Sequence, residues 1–242
     1  MGNVLSDSFH TYRSNLKLVL LFSIPFIIAS LIPLFAPFPT YISAGAIFLR
    51  NSSIFLNLNF ISLAVIIAAF FLSLLFISFA FVAINLIVKS KRTHTKASSR
   101  VLKGIEKYTV NVLIVLLIYS IVLSIASVLG YMAGIQALIT GIVGFFGFVF
   151  VFYAPSAIVM EDKKIIRSMI DSVRLVVSAP QYFLLWLVLL VVIISLLDSV
   201  FIITVAQISR YIMLVITSLF ILPYFVILMT ESYMKRFPIL RH

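Results

Sequence analysis

The sequence of 242 residues is 63% hydrophobic and only 10% charged, and its formal net charge is +11. A soluble domain carries about a quarter charged residues, so this composition excludes a soluble fold and favours one whose solvent is the lipid bilayer. The absence of cysteine excludes disulfides, thiolate metal sites and cysteine nucleophiles.

Six apolar runs follow one another along the chain, each close to the length of about 20 residues that a membrane-spanning helix needs. We predict spans at 16–36, 61–88, 109–130, 136–158, 182–203 and 209–230. At 1.5 Å per residue the second run is about 42 Å long, so this helix must tilt or protrude. The sequence therefore predicts an all-α membrane protein with a single polytopic domain over 1–242.

A charged, amphipathic segment precedes each odd-numbered span. The apolar residues that recur at helical spacing are Leu5, Phe9, Tyr12 and Leu16 in the first, Val101, Ile105, Tyr108 and Val112 in the second, and Ile166, Met169, Ile170, Val173 and Val177 in the third. Spacing of three and four places each set on one helix face. We predict three cytoplasmic interfacial helices that lie in the headgroup plane with the apolar face toward the lipid.

The order of interfacial helix, span, outer turn and span therefore recurs three times, which predicts a threefold repeat of helix hairpins. A few identities accompany it. Asp7 and Ser8 match Asp171 and Ser172 at an offset of 164 residues, and Ser14 matches Ser178 at the same offset.

The basic residues are distributed unevenly between the loops. Sixteen of the eighteen Lys and Arg residues fall before or at the start of the first span, between the second and third, between the fourth and fifth, or after the sixth. Only Arg50 and Arg210 fall on the other side. The positive-inside rule then predicts a cell-membrane protein with both termini in the cytoplasm. The same rule accounts for the net charge without a nucleic-acid partner.

The segment between the second and third spans is the most basic part of the chain, with seven cations between Lys89 and Lys107. Each cation near an anionic membrane surface contributes about 1 kcal/mol of attraction. We expect anionic lipid headgroups to be contacted by Lys91, Arg92, Lys96 and Arg100. An acidic protein partner in a membrane complex is the alternative.

A second cluster of charges begins where the fourth span ends. We expect Pro155 to bend this span shortly before it leaves the bilayer. Glu161 would then emerge at the inner surface and form a structural ion pair with a cation from 89–107 or from Lys163–Arg174. Asp162 is expected to cap the third interfacial helix, since a carboxylate satisfies the free N–H groups at a helix start.

A few polar residues lie within the spans. Asp198 is 16 residues after Tyr182, about 24 Å along the fifth span, and Arg210 starts the sixth at a similar level. We expect Asp198 and Arg210 to form a structural ion pair at the outer surface. Asn85 and Asn111 lie near inner ends, where we expect them to reach water.

Prolines and small residues mark irregular or close packing. Pro25 and Pro33 in the first span and Pro223 in the sixth predict kinks. Small residues recur, often four apart, around the fourth span at Gly130, Ala133, Gly134, Ala137, Gly141, Gly144 and Gly147. This spacing lets helix backbones approach closely, so we predict a tightly packed central helix rather than a substrate path.

Enzyme chemistry requires titratable groups that converge. The three histidines, His10, His94 and His242, are far apart in the sequence, and no nucleophile, metal or phosphate-binding motif is present. We therefore predict no catalytic residues, no cofactor, no metal site and no enzymatic activity.

Two stretches resemble a known group of proteins. PSAIVMEDKKIIRSMIDSVRLVVSAP, from Pro155, and SDSFHTYRSNLKLVLLF, from Ser6, resemble poorly characterised prokaryotic membrane proteins that are similar to the membrane domain attached to some glycerophosphoryl diester phosphodiesterases. In that group a proline ends a span, a glutamate follows, and a serine lies in the next amphipathic segment; here these would be Pro155, Glu161 and Ser172. The residues 162–164 depart from the pattern, which has a glycine there. The resemblance implies a six-helix membrane domain that is not an enzyme.

These observations favour a non-enzymatic membrane protein that acts as a scaffold or an accessory subunit at the cytoplasmic lipid surface. The alternative is a small transporter or permease component, which would need a polar, water-accessible cavity near mid-membrane. A weaker alternative is an enzyme that acts on lipid headgroups at the inner face.

Overall fold

The computed structural model describes residues 2–35, 40–43, 46–49, 59–92, 97–204 and 209–236. Almost all of them are helical. The helices are α1 (Gly2–Ser14), α2 (Leu16–Leu31), α3 (Phe60–Arg92), α4 (Ala97–Met132), α5 (Gln136–Phe152), α6 (Ala154–Glu161), α7 (Ile165–Ser178), α8 (Pro180–Thr204), α9 (Ser209–Ile216) and α10 (Leu222–Arg236).

Six helical stretches in the described part of the chain are long and apolar enough to cross a membrane. They are Leu16–Phe35, Phe60–Lys91, Gly104–Met132, Gln136–Glu161, Pro180–Phe201 and Tyr211–Arg236. The prediction of six apolar helices of spanning length is therefore confirmed. Each lies within a few residues of its predicted bounds, apart from the start of the third and the end of the sixth, which extend further. A long apolar run is a strong signal because a bilayer core fixes the helix length it requires.

A short antiparallel hairpin follows the first span, and the all-α prediction missed it. Strand β1 (Thr40–Ser43) pairs with β2 (Ala46–Leu49), with Thr40 opposite Leu49 and Ser43 opposite Ala46. The two strands carry Tyr41, Ile42, Ile47 and Phe48, types that favour extended backbone. The segment is too short to have been separated from the surrounding apolar sequence.

The core lies at one end of the bundle, where the last turns of the second, fourth and sixth spans meet. Helix α6 is buried from Ala154 to Met160, and α10 is buried from Phe225 to Met234. Residues 82–88 of α3 are buried in the same way. Burial on every side places these three helix ends at the centre. In contrast, the first turns of α3 and most of α8 expose their apolar side chains, as helices do in lipid.

Two spans are interrupted next to a proline. The fourth span changes from α5 to α6 at Tyr153, and Pro155 is in the first turn of α6, where its missing N–H is tolerated. In the sixth span the π-helical segment Thr217–Ile221 precedes Pro223, and the N–H of Leu222 donates to Thr217 O, five residues back. The wider turn accommodates Pro223, which has no N–H to donate and whose ring would clash with the carbonyl group four residues before it.

The second predicted interfacial helix is not a separate element. Helix α4 runs without a break from Ala97 through the third span. The predicted apolar stripe is nevertheless present on this helix. Its residues Ile105, Tyr108 and Val112 are buried in the core together with residues of α3 and α6. An apolar stripe marks a face, but it cannot show whether the helix ends before the span begins.

The prediction of a tightly packed fourth span is wrong for the first turns of α5. A Cβ on Gly147 would lie 2.9 Å from the ring of Tyr119 on α4, so here the missing side chain does allow close packing. The Tyr119 hydroxyl donates to Gly144 O over 3.2 Å. Gly141, however, faces open space, and Ala137 is exposed beside it. Gly147 thus makes room for one tyrosine, whereas Gly130 allows a close approach to the backbone, since a Cβ there would lie 2.9 Å from Gln136 Cα.

Candidate functional site at the basic end

The basic segments, separated in the sequence, come together at the end of the bundle that contains the core. We call this the basic end; it comprises α1, the last turns of α3, the first turns of α4, the α6–α7 junction and the end of α10. Lys91 on α3 donates to Thr11 on α1 over 3.0 Å, and Lys107 on α4 donates to Asp162 over 2.8 Å. Lys163 donates to the hydroxyl of Tyr233 on α10 over 3.3 Å. Together with the hydrogen bond from Thr11 on α1 to Glu231 on α10, these contacts place the five segments on one side.

Lys163 is the centre of a charged group that joins α6, α7 and α10. Its ammonium lies 3.0 Å from Glu161 Oε2 and 2.7 Å from Asp171 Oδ2. The Tyr233 hydroxyl donates to Glu161 Oε1. We call these four residues the Lys163 cluster. Glu161 therefore contacts a cation of the segment predicted for it, although the cation is only two residues away.

The Lys163 cluster is largely removed from solvent. The side chain of Lys163 is 14% exposed and that of Asp171 is 7% exposed, whereas Glu161 retains 30%. The Lys163–Asp171 contact is an ion pair without hydrogen-bond geometry. Arg174, 69% exposed, lies 3.6 Å from the other oxygen of Asp171 and supplies a second positive charge. The two carboxylates, of Glu161 and Asp171, are thus balanced by two cations, Lys163 and Arg174, as a buried charged group requires.

Asp162 does not cap α7, so that prediction is wrong. It ends α6 in the left-handed conformation, with φ of 54°, and Lys164 precedes α7 without a side-chain cap. The Asp162 carboxylate accepts hydrogen bonds from Lys107 and from the Tyr108 hydroxyl instead. The left-handed residue turns the chain and directs the carboxylate to α4, away from the start of α7.

The protonation of Asp162 follows from these partners. Partial burial acts to raise its pKa, but the hydrogen bonds from Lys107 and Tyr108 and the charges of Lys89 and Lys107 outweigh burial. The pKa of Asp162 is therefore lowered from its ordinary value of 3.8. The carboxylate therefore remains charged near neutral pH, and its ion pair with Lys107 on α4 is kept.

A second polar contact fastens α1 to α10. The hydroxyl of Thr11, buried on α1, donates to Glu231 Oε1 over 2.9 Å, and Glu231 is itself only 3% exposed. Lys91 lies 2.9 Å from His10 Nδ1 in addition to its contact with Thr11. This helix packs on α10 through Val4, Ser8 and Thr11, whereas Phe9 of the predicted stripe is exposed.

Of the four predicted lipid contacts, only Lys91 has a described side chain, and that side chain bonds within the protein. Lys96 and the side chains of Arg92 and Arg100 lie outside the part of the chain that the structure describes. Asp198 is half-exposed on α8, and the side chain of Arg210 is likewise outside that part. The Asp198–Arg210 pair remains a prediction.

Three fully buried polar side chains meet where the even-numbered spans converge. Ser156 Oγ lies 3.2 Å from Asn85 Oδ1 and 3.1 Å from Thr230 Oγ1, and the Thr230 hydroxyl also contacts Asn85 Oδ1. All three residues are 0% exposed, so the expectation that Asn85 reaches water is wrong. Each comes from a different span: Asn85 from α3, Ser156 from α6 and Thr230 from α10. Such contacts hold helices together where the surroundings are apolar.

Ser156, Thr230 and Tyr233 were not predicted, because serine, threonine and tyrosine are common in membrane helices. One sequence signal was present. Asn85, Ser156 and Thr230 each lie about one helical turn before the charged end of an even-numbered span. Equivalent positions in the predicted repeat would have grouped these three residues.

The chemistry available at the basic end is that of charge pairing. Among the described residues, no three His, Asp or Glu side chains are grouped so that they could hold a metal ion. The carboxylates of Glu161, Asp162, Asp171 and Glu231 each face a lysine or a hydroxyl donor. The arrangement stabilises helix contacts and leaves Lys164 and Arg167 exposed at the surface.

No family model, no curated protein and no solved structure matches the chain. Two of the residues named for the resemblance, Pro155 and Ser172, lie at the junction of α5 and α6. Pro155 follows the helix break at Tyr153, and the Ser172 hydroxyl accepts the Tyr153 N–H over 2.9 Å and donates to Val149 O over 2.7 Å. Ser172 thus satisfies backbone groups that the break leaves without helical partners.

Proposed function

We propose that this chain is a multi-pass protein of the cell membrane with both termini in the cytoplasm, and that it acts without catalysis as a scaffold or accessory subunit at the cytoplasmic surface. The observation that carries the proposal is the convergence of the basic segments at one end. Under the positive-inside rule, that end faces the cytoplasm. The resemblance to a six-helix, non-enzymatic membrane domain agrees with this role.

The use of polar groups at the basic end supports a structural role. An enzyme site holds its titratable groups around a space that a substrate can enter. The Lys163 cluster and the Thr11–Glu231 contact instead join helices to one another. The exposed cations Lys164 and Arg167 are then part of a rigid, positively charged surface, which suits an acidic partner or an anionic membrane.

We further propose that the bundle is a threefold arrangement of helix hairpins. Each amphipathic segment packs on an even-numbered span: the start of α4 on α3 and α7 on α5 and α6, which precede them in the chain, and α1 on α10 of the last span. The last of these contacts closes the ring. The contact between Asn85, Ser156 and Thr230 then lies where a threefold axis would pass, with one residue from each hairpin.

Site-directed photocrosslinking in native membranes tests the proposed function. A crosslinking amino acid at Lys164 or Lys235 at the basic end should yield a protein adduct of the same mass from both positions. The matched control is Ala133, in the turn at the opposite end, which should yield none. An adduct from Ala133 alone, or from no position, would count against a scaffold that works at the basic end.

One observation favours the alternative of a transporter. The buried Thr217 hydroxyl has no hydrogen-bond partner, and it lies in the π-helical segment, next to Ser218, whose hydroxyl is 3.5 Å from that of Ser30 on α2. Irregular turns with unpaired polar groups occur at functional sites. If Thr217 binds nothing, Thr217→Val should leave thermal stability equal or higher. A decrease in the thermal stability of Thr217→Val would favour a transported ligand. So would an added solute that stabilises the unchanged protein but not this variant.

A further inference from the structure

Helix α7 exposes apolar side chains and buries polar ones. Its buried side carries Ser168, Asp171 and Ser172, which are at most 5% exposed, together with Leu175 and Val176 of the core. Its outward side carries Ile166 and Ile170, which are 74% and 52% exposed. A helix in water would place the isoleucines inside and the serines outside. The outward side therefore meets an apolar phase.

The exposed apolar residues of α7, together with the half-buried Val173, form one continuous stripe. They lie at Ile166, Ile170, Val173 and Val177, with spacings of four, three and four that keep them on one face. Val177 is 74% exposed. Helix α8 begins shortly after it, and the exposed Leu184 and Val188 of α8 continue the apolar surface along the span. The stripe is thus adjacent to the surface that meets the acyl chains, at the level where the span ends.

A row of cations borders this stripe on one side. Arg167 and Arg174 are both exposed and are seven residues apart, so they lie two turns apart along the same edge of the helix. Lys164 is exposed at the start of the helix. Guanidinium groups bind phosphate oxygens in a bidentate manner, and cations beside an apolar face are typical of helices at an anionic membrane surface.

We propose that α7 is the anionic-lipid contact of this protein: Ile166, Ile170 and Val177 insert among the acyl chains, and Arg167 and Arg174 bind the phosphates of anionic phospholipids. The assignment to the inner leaflet rests on the proposed function. The buried side of α7 is fixed by the Lys163 cluster and by Ser172, so the stripe is held toward the lipid without a change of conformation. The anionic-lipid contact predicted for residues 91–100 is therefore assigned to α7 instead.

The depth of the stripe can be measured directly because the chain contains no cysteine. A nitroxide on Ile170→Cys, in vesicles of phosphatidylglycerol and phosphatidylcholine, should be more accessible to oxygen than to a water-soluble nickel complex. A nitroxide on Lys164→Cys should show the reverse preference. If the label at 170 is reached by nickel, water covers the stripe; if neither reagent reaches it, a protein does. Either result overturns the proposal.

The cationic edge is tested by lipid binding. The double variant Arg167→Gln/Arg174→Gln should bind a fluorescent phosphatidylglycerol in detergent about tenfold more weakly, with phosphatidylcholine binding unchanged. The control Arg13→Gln/Lys17→Gln removes the same charge from two other exposed positions and should change little. Equal losses in both variants would overturn the proposal. Neither experiment depends on which leaflet is contacted, so its failure is separate from a failure of the proposed topology.

Discussion

Replacement of Lys163 by methionine removes a cation that contacts both Glu161 and Asp171. Loss of one partner from a buried ion pair costs about 3–5 kcal/mol, because the remaining charge is left without compensation. Asp171 keeps Arg174 at 3.6 Å, and Glu161 is partly exposed to water, so we expect the lower end, about 3 kcal/mol. For a chain of this size, 1 kcal/mol shifts the melting temperature by about 2–4 °C, which gives a decrease of about 6–12 °C.

The single tryptophan of the chain provides the assay. The Trp186 ring packs 4.8 Å from that of Phe152 and 5.3 Å from that of Phe225, and its N–H donates to Phe225 O over 3.0 Å. Its fluorescence therefore reports when α5, α8 and α10 separate during heating in detergent. Lys164→Met is the matched control, since the same change at the neighbouring exposed lysine should alter stability by less than about 0.5 kcal/mol.

A second variant separates charge from packing. In Lys163→Met/Asp171→Asn the buried carboxylate is also neutralised, so much of the lost stability should return. If the double variant is as unstable as Lys163→Met, the loss comes from the packing of the lysine stem. If Lys163→Met melts within 2 °C of Lys164→Met, the view that the Lys163 cluster fixes α7 to the bundle is refuted.

Three further predictions concern packing, protonation and orientation. Gly147→Ala should destabilise by about 1–3 kcal/mol through its contact with the Tyr119 ring, while Gly141→Ala, in open space, should be neutral. Because the pKa of Asp162 is lowered, its contribution is present above pH 3.8 and is lost as pH falls through the folded pKa; a pH series of melting temperatures should show this acid-side decrease reduced in Asp162→Asn. In intact cells, a membrane-impermeant thiol reagent should label Ala133→Cys and spare Lys164→Cys; the opposite pattern would invert the proposed topology.

The spans were predictable because the bilayer imposes one length on every crossing helix. Runs such as 61–88 and 182–203 correspond closely to Phe60–Lys91 and Pro180–Phe201. The grouping of the basic segments followed from the same order of spans, since alternate loops must lie at the same end. The order of the spans did not predict which residue each charged side chain contacts. Asp162 precedes a helix and so resembles a cap, but its left-handed conformation and its contact with Lys107, 55 residues away, depend on how α4 packs.

The orientation of the amphipathic helices was the least predictable feature. The stripe of α7, with Ile166, Ile170 and Val177, faces outward as predicted for an interfacial helix. The corresponding stripe at the start of α4 is instead buried in the core. In water an apolar stripe must face the protein, because only the protein offers an apolar environment. At a membrane the lipid offers one too, so the stripe alone cannot determine which way the helix is turned.

The polar residues resolve this ambiguity. Between two apolar environments, an apolar side chain gains little by choosing one, whereas a serine or a carboxylate is stabilised only where a donor or a cation is held for it. The described contacts follow this rule: Asp171 faces Lys163, Thr11 faces Glu231, and Ser156 faces Asn85, all inside the bundle. In a chain this apolar, the few polar residues of the helices identify the protein-facing side, and the apolar pattern identifies only the helix.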